Sequence, residues 1–353
     1  MNYDEASRLG ATEYRSKQFP VTLAIESSCD ETAAALIRGA REVLSMSIYT
    51  QIPLHRKYGG VVPELASRSH VEKVGAVVSD ALEQANLSLA DVDAIAVTNG
   101  PGLVGALLVG LSYAKGLAYA MQKPLVGVDH IAGHIAANYL TFPDLAPPFA
   151  CLVASGGHSH IVLVEGYCRF SLLGKTRDDA AGEAFDKVAR ALGLPYPGGP
   201  ALEALAREGD SAAFRFKAGL NDAQTFDFSF SGIKTAVVNL LHTASQKGEE
   251  ISRADVAASF QKAVIDALSE RSVNAAKAAG VKTLALAGGV SANLALRETM
   301  RQRAQAANLR FCVPEMRFCT DNAAMIACAG HYALMSGAPD ALSLNAYPSR
   351  ELA

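Results

Sequence analysis

Val21-Thr-Leu-Ala-Ile-Glu-Ser-Ser-Cys-Asp-Glu-Thr32 begins as a β-rich apolar run and breaks into a small-residue turn, and a second apolar run follows from Ala33 to Ile37. The same figure returns far downstream. Phe149 to Ala154 is an apolar run, Ser155-Gly-Gly-His-Ser159 is the turn, and Ile161 to Glu165 is the second run. Two halves that each open with strand, tight turn and strand predict a duplicated two-lobe fold with a cleft between the lobes. Pro143 to Pro148 is the proline-rich break between them.

Working outward from the first run, Glu42 to Tyr49 reads as a third strand and Pro63 to Leu87 as a helix. Ala94 to Thr98 is a short buried strand, and the turn Asn99-Gly-Pro-Gly102 starts a small-residue helix that continues to Ala120; Leu125 to Val128 is another strand. In the second half a helical region runs from Arg177 to Leu194 and is broken by PYPGGP. A long helix spans Ser252 to Ala279. The strand Thr283 to Ala287, the turn GGVSAN, a helix to Ala307, the strand Leu309 to Val313 and a last helix after Thr320-Asp-Asn322 complete the pattern. Strands alternating with helices predict an α/β chain with a parallel, or mostly parallel, sheet covered on both faces. The expected boundaries are a loose tail at 1–20, one lobe at 21–147, the other at 148–322, and an extension at 338–353. The helix at 323–337 is expected to pack back on the first lobe.

A length of 353 residues suits two domains or one bilobed one, and 50% hydrophobic residues supply a sizeable core. A net charge of -3 argues against coating nucleic acid by charge alone, while leaving room for a local basic patch. The six cysteines form no CxxC pair, which fits free thiols in a reducing cytosol. The polar N-terminus lacks a signal-peptide core, and no run approaches about 18 uninterrupted apolar residues. The expectation is a soluble, cytoplasmic protein with no membrane segment.

Ligands of such folds sit at turns that cap the C-terminal ends of strands. ESSCDET, SGGHS and GGVSAN qualify, the last two because paired glycines let backbone N–H groups approach a phosphate closely. His130 and His134 in VDHIAGHI are four apart and so share one helix face. By itself that spacing fits a metal site or ordinary packing equally well.

Taken together, IESSCDET, HRKYGGVVPELASRSH, NGPGLVGALLVG, VDHIAGH, SGGHS, GEAFDKVARALGLPYPGGP, FSFSGIKTA, GGVSAN and CTDNAAMIA decide more. The chain resembles the actin, Hsp70 and sugar-kinase superfamily, whose duplicated lobes clasp a nucleotide in a central cleft. Within it the chain resembles the universal tRNA threonylcarbamoyladenosine-forming family (TsaD in bacteria), once taken for sialoglycoprotein endopeptidases. The motifs run from about Val21 to about Gly337.

The resemblance implies a transferase. It would move a threonylcarbamoyl group from threonylcarbamoyl-AMP to the N6 amine of the adenosine 3′ to the anticodon in ANN-reading tRNAs, releasing AMP. It implies metal ligands at His130, His134 and Asp321, holding one divalent ion, Fe(2+) or Zn(2+); two histidines and a carboxylate leave positions open for substrate oxygens. Asp321 would otherwise simply cap the last helix. The resemblance also places Val153, Ala154, Ser155, Gly156 and Gly157 around the donor's phosphate and acyl part, with ATP or AMP able to occupy the same site. Asp186 and Glu203 would hold ribose hydroxyls, Gly199 would give close backbone approach, and Asn293 would touch the nucleotide; the bland reading of both carboxylates is a solvated helix face.

Asp30 and Glu31 on the first turn are candidate catalytic residues that could orient the amine, activate a water or cap the turn. Cys29 beside them reads as a free thiol, since no histidine neighbours it in sequence. Arg56, Lys57, Tyr58 and Arg68, with His55, His70 and Lys73, form a basic stretch with an aromatic available for stacking, and are the candidate tRNA contacts. The family implies partners, a smaller non-catalytic paralogue and a P-loop ATPase, and the helix from Leu103 to Ala120 could pack such a partner or its own lobe. A zinc peptidase of the HExxH type needs a glutamate where this chain has Ile131, so proteolysis is excluded. The competing functions are a non-catalytic nucleotide-binding scaffold and an ATP-dependent small-molecule kinase.

Overall fold

The computed structural model describes residues 2–217, 225–349 and 352. Residue 1 of the expected tail and residues 350, 351 and 353 of the expected extension lie outside the described residues. The first half of the chain contains α1 (Tyr3–Ser16), β1 (Val21–Glu26), β2 (Glu31–Arg38), β3 (Glu42–Thr50), α2 (Ile52–His55) and α3 (Pro63–Ala85). It continues with β4 (Ala94–Gly100), α4 (Val104–Met121), β5 (Leu125–Asp129) and α5 (His130–Thr141). The second half contains β6 (Phe149–Ala154), β7 (Ser159–Gly166), β8 (Arg169–Lys175), α6 (Ala181–Ala191), α7 (Gly198–Ala206), α8 (Ser231–Lys247) and α9 (Arg253–Ala278). It ends with β9 (Thr283–Ala287), α10 (Leu294–Ala306), β10 (Arg310–Cys312) and α11 (Ala323–Ser336).

The strand orders are β3-β2-β1-β4-β5 and β10-β9-β6-β7-β8. Counted from the first strand of each half they are the same order, so the duplication is structural. Neither sheet is mostly parallel, which corrects the sequence reading. β1, β4 and β5 run parallel, as do β6, β9 and β10, but β1-β2-β3 and β6-β7-β8 are antiparallel. The physical reason is loop length. A handful of residues joins β1 to β2 and β6 to β7, whereas a parallel crossover needs a dozen or more. The strand β8 was also unforeseen, and the helix expected from Arg177 starts only at Ala181. Asp178 instead accepts the backbone N–H groups of Phe230 and Ser231 at the start of α8.

Alternation along the strands sets the layers. Leu23, Ile25 and Leu36 face α3 and α4, while Ala24, Ala35 and Ile37 face inward. Both faces are buried, which is why β1 and β2 read as near-continuous apolar runs. On the far side, Leu152 and Leu286 pack against Phe185 of α6 and Phe260 of α9. Between the sheets lie α5 and α11, whose Ile131, Ile135, Met325 and Ile326 share one core with Val153 and Ala287. Each buried isoleucine, methionine or valine among them contributes about 1.5–3 kcal/mol.

A glycine on each central helix permits close packing, Gly133 of α5 against α11 and Gly330 of α11 against the first sheet. A Cβ on Gly133 would lie 2.6 Å from Ile326 Cδ1, and one on Gly330 would lie 2.6 Å from Ala96 Cβ. Close approach of α5 and α11 brings the first turn of α5 beside the loop that precedes α11.

Two further segments bear on the lobe boundaries. Residues 2–16 are not a loose tail. Asn2 and Glu5 form a capping box, and Tyr3, Ala6, Ala11 and Tyr14 make a buried stripe on α1. The Tyr14 hydroxyl lies 2.7 Å from both Thr22 Oγ1 and His331 Nδ1, and Arg15 donates to the carbonyls of Leu334 and Gly337. At the other end, Asp340 donates its N–H to Leu125 O and accepts from Gly127, and Tyr347 donates its N–H to Asn99 O, so this segment straps the first sheet. By length and composition α4 could cross a bilayer. Here it is a core helix on one side, burying Ala106, Leu107, Leu111, Ala114 and Ala118.

Candidate metal centre and donor pocket

His130 and His134 occupy the first turns of α5, whose N-terminus is capped by Asp129 through the N–H groups of Ile131 and Ala132. Spacing of four puts both rings on one face, with centroids 4.5 Å apart. Asp321 comes from the loop before α11. It is not that helix's cap: Asn322 takes the role by accepting from Met325 N–H, which leaves the Asp321 carboxylate to the histidines. Asp321 Oδ1 lies 3.4 Å from His130 Nε2 and 3.3 Å from His134 Nε2. One ligand atom from each of the three residues falls within a 4.8 Å cluster.

Burial would lower the pKa of His130, but the carboxylates of Asp321 and Glu26 outweigh it and hold the ring well above its usual value. Burial would raise Asp321, and His130 and His134 instead hold it far below the ordinary carboxylate range. His134 is lowered, first by burial and then by the charge on His130. Both ring nitrogens of this fully buried imidazole lack a hydrogen-bond partner. Such an orphan costs about 1–3 kcal/mol, and a cation on Nε2 would relieve it. The three residues therefore fit a divalent metal of the type that binds imidazole and carboxylate.

Beside this cluster lies the turn between β6 and β7. His158 in it is pushed down to about 3 by burial and by the charge of His130. The same turn contributes Gly156 to a cavity of about 170 Å³ in the second lobe, lined further by Asp186, Gly199, Glu203, Gly289 and Asn293. Asp186 Oδ1 accepts from Gly198 N–H at 2.8 Å, and Glu203 Oε1 accepts from Leu294 N–H at 2.9 Å. Burial raises Asp186, against the pull of the Gly198 and Gly199 N–H groups. Neither carboxylate is a plain solvated face. Asn293 caps α10 through Leu296 N–H and donates to Gln261 Oε1, so its side chain is fixed at the cavity wall.

The remaining donor-site expectations divide. Gly157 has open space around it, and Ser155 closes the turn by accepting from His158 N–H. Val153 and Ala154 do not line the cavity. Their side chains are buried in β6, because a strand covered on both faces has none to spare. Sequence reasoning passed over Phe185, Gly182, Pro200, Val290 and Ala292, which complete the wall. It also passed over Glu26, whose carboxylate meets His130, and His158, although both lie inside motifs already singled out.

Asp30 and Glu31 reach the same region from the first lobe. Burial, then Asp30 and Asp321, push Glu31 up to about 9. Its carboxyl therefore keeps its proton at neutral pH in the metal-free chain. Tyr196 OH donates to Asp30 Oδ2 at 3.4 Å across the cleft, and Arg56 Nε donates to Tyr196 O. Burial and the neighbouring Asp30 raise the Cys29 thiol well above its ordinary value, consistent with an inert free cysteine.

The basic stretch is smaller than its sequence suggests. His55 and His70 are fully buried, and burial lowers both. His70 bridges Thr32 Oγ1 and Cys29 O, which fastens the ESSCDET turn from behind. Arg68 is paired with Glu64, and Lys73 lies over the Tyr49 ring. Arg56, Lys57 and Tyr58 are on the surface, as is Arg68 with its Glu64 partner.

Residues 42–328 match the model of the TsaD family, tRNA N6-adenosine threonylcarbamoyltransferase. Proteins of that name from Clostridium perfringens are 56% identical over 94% of this chain and 98% of their own length. One from Clostridium botulinum is 56% identical over 94% of this chain and 97% of its own length. The chain belongs to this family. It is read accordingly as an acyltransferase, ahead of a kinase or a scaffold. The fold of the actin, Hsp70 and sugar-kinase superfamily is seen in solved structures of low identity. Full-length HypF in its phosphate- and nucleotide-bound form aligns with a TM-score of 0.60 at 13% identity, over 89% of this chain and 46% of that one. The Acidaminococcus fermentans (R)-2-hydroxyglutaryl-CoA dehydratase component A aligns at 0.51 and 14% identity, over 91% and 99%.

Proposed function

We propose that this chain transfers the threonylcarbamoyl group of threonylcarbamoyl-AMP to the N6 amine of the adenosine 3′ to the anticodon in ANN-reading tRNAs. One observation carries the reading: the turn from Ser155 to His158 borders both the His130, His134 and Asp321 cluster and the cavity containing Asp186 and Glu203. A donor whose nucleoside lies in the cavity would extend its acyl-phosphate along that turn toward the cluster.

In this arrangement Asp186 and Glu203 hold the ribose hydroxyls through acceptors that charge strengthens. Gly156, Gly157 and Gly199 let the backbone approach the phosphate without side-chain obstruction. His130, His134 and Asp321 would hold Fe(2+) or Zn(2+), which supplies Lewis-acid stabilisation of charge on the acyl-phosphate oxygens. The amine nitrogen attacks the carbamoyl carbon, the bond from that carbon to the phosphate oxygen breaks, and AMP departs with the electron pair. Asp30, which the Tyr196 hydroxyl reaches across the cleft, is the carboxylate we assign to receive the proton lost from N6. An aromatic amine sheds that proton late, and positioning supplies much of the rate.

Arg56, Lys57 and Tyr58 are the surface groups we assign to tRNA, the first two for phosphates and the third for stacking. The outer face of α4 leaves Val104, Leu108 and Tyr119 exposed, with Val71 of α3 exposed too. It is the face we assign to the smaller paralogue, with a P-loop ATPase completing the assembly. Six cysteines without a disulfide fit a cytoplasmic setting. The test is to incubate the purified chain with those partners, the adenylate and unmodified tRNA, and to analyse the nucleosides by mass spectrometry. Absence of threonylcarbamoyladenosine under conditions where a Clostridium perfringens relative forms it would refute the reading.

A further inference from the structure

Glu26 is the last residue of β1 and is fully buried. A carboxylate with no exposure is costly unless it is paired and hydrogen-bonded, and this one is saturated. Oε1 accepts from Ser28 N–H, and Oε2 accepts from Thr98 Oγ1. Oε2 also lies 3.1 Å from His130 Nδ1, and Ser28 Oγ lies 3.2 Å from the same nitrogen. Glu26 stands at the end of β1, and its contacts come from the turn after it, from β4 and from α5, so three separate parts of the chain fix the carboxylate. An ionised carboxylate only accepts hydrogen bonds. The ring nitrogen facing it must therefore carry a proton, so that Nε2, the nitrogen nearer Asp321, is the one at which a metal would displace a proton and take the lone pair. His134 has no such support: neither of its nitrogens is hydrogen-bonded.

We infer that Glu26 is a positioning residue that fixes the tautomer and ring plane of His130, making His130 the preorganised ligand of the metal centre. Thr98 and Ser28 anchor Glu26 in turn. The inference rests on the metal-centre reading proposed above and deepens it. Outer carboxylates of this kind typically change metal affinity by about 10- to 100-fold.

The experiment measures Co(2+) and Zn(2+) binding to the full chain by absorption titration and chelator competition, with circular dichroism as the fold control. Wild type should bind about one ion, and His134→Ala should lose it. Failure of the wild type to bind would sink the metal centre itself. With wild-type binding in hand, Glu26→Gln should weaken affinity by about 10- to 100-fold, and Glu26→Asp should recover part of the loss. Wild-type affinity in Glu26→Gln would overturn the role of Glu26. Should Glu26→Gln fail to fold, 15N imidazole spectra of the Zn(2+)-loaded wild type decide the matter, with His130 assigned by its absence in His130→Gln. The expected tautomer is protonated at Nδ1 and bare at Nε2, and the reverse tautomer would overturn the inference without any substitution at Glu26.

Discussion

Asp186 has a structural bond as well as its proposed ligand role, and the two can be separated. Its Oδ1 accepts from the N–H of buried Gly198, the first residue of α7, at 2.8 Å. Replacement by alanine removes the ribose acceptor and orphans that N–H. A charged hydrogen bond is worth about 1.5–3 kcal/mol and an orphaned buried donor costs about 1–3 kcal/mol. Asp186→Ala should therefore weaken nucleotide binding by about 10- to 150-fold and also lower stability to urea. Asp186→Asn keeps a neutral oxygen for Gly198 and the same shape. It gives up only the charge, a difference of roughly 1–1.5 kcal/mol, so affinity should fall about fivefold to tenfold with stability nearly unchanged. The assay is calorimetric titration of AMP or ATP, paired with urea unfolding of each variant. If Asp186→Asn binds as wild type does and Asp186→Ala loses only stability, the carboxylate is a pin for α7 and the ribose assignment is wrong.

Loss of both His130 and His134 to alanine should abolish bound transition metal in elemental analysis; full metal content in that double variant would place the ligands elsewhere. Replacing Arg56 and Lys57 with alanine should weaken tRNA binding, leave adenylate affinity alone, and flatten the salt dependence by up to about 0.7–0.9 per lost phosphate contact. An unchanged slope would leave that stretch a solvated surface. Glu31 supplies a pH prediction for the metal-free chain. Its folded pKa, about 9, lies above the unfolded value of 4.5. The folded state thus binds more protons, and its stability is fully present below pH 4.5 and is lost as pH rises through about 9. Glu31→Gln should remove that loss, so urea midpoints of variant and wild type should diverge with rising pH; parallel curves would show that Glu31 ionises normally.

What the sequence disclosed of the fold was local. Apolar runs followed by small-residue turns mark β1, β6 and β9 because a strand buried on both faces has to be apolar along its whole length. Strand direction needed a further step, since a short turn permits only an antiparallel neighbour. The helix α1 was missed because its partners are remote: Tyr14 meets His331 across 317 positions. The local signal was nonetheless present in Asn2 and Glu5, spaced as a capping box, ahead of an apolar stripe.

The site divides along the same line. His130 and His134 are legible as a pair because helix geometry alone brings them together, whereas their meeting with Asp321 depends on the tertiary packing of α5 against α11, where Gly133 lets Ile326 approach. Histidine by itself says little: His55 and His70 fall in a basic-looking stretch and are buried, His55 bonded to Gln51 and Val62 and His70 fastening the first turn. Burial decides which role a histidine takes, and burial is a property of the packed chain. The same holds for the carboxylates. Glu26, Asp30 and Glu31 stand within six residues of one another in sequence, yet they differ sharply in surroundings. Glu26 is saturated by Ser28, Thr98 and His130, while Glu31 has Asp30 and Asp321 for neighbours and holds its proton. Glu26 meets burial, which would raise its carboxyl, and His130, which outweighs burial and lowers it, while Glu31 meets burial and two further carboxylates, so contacts from separate strands and loops set two chemically similar residues apart.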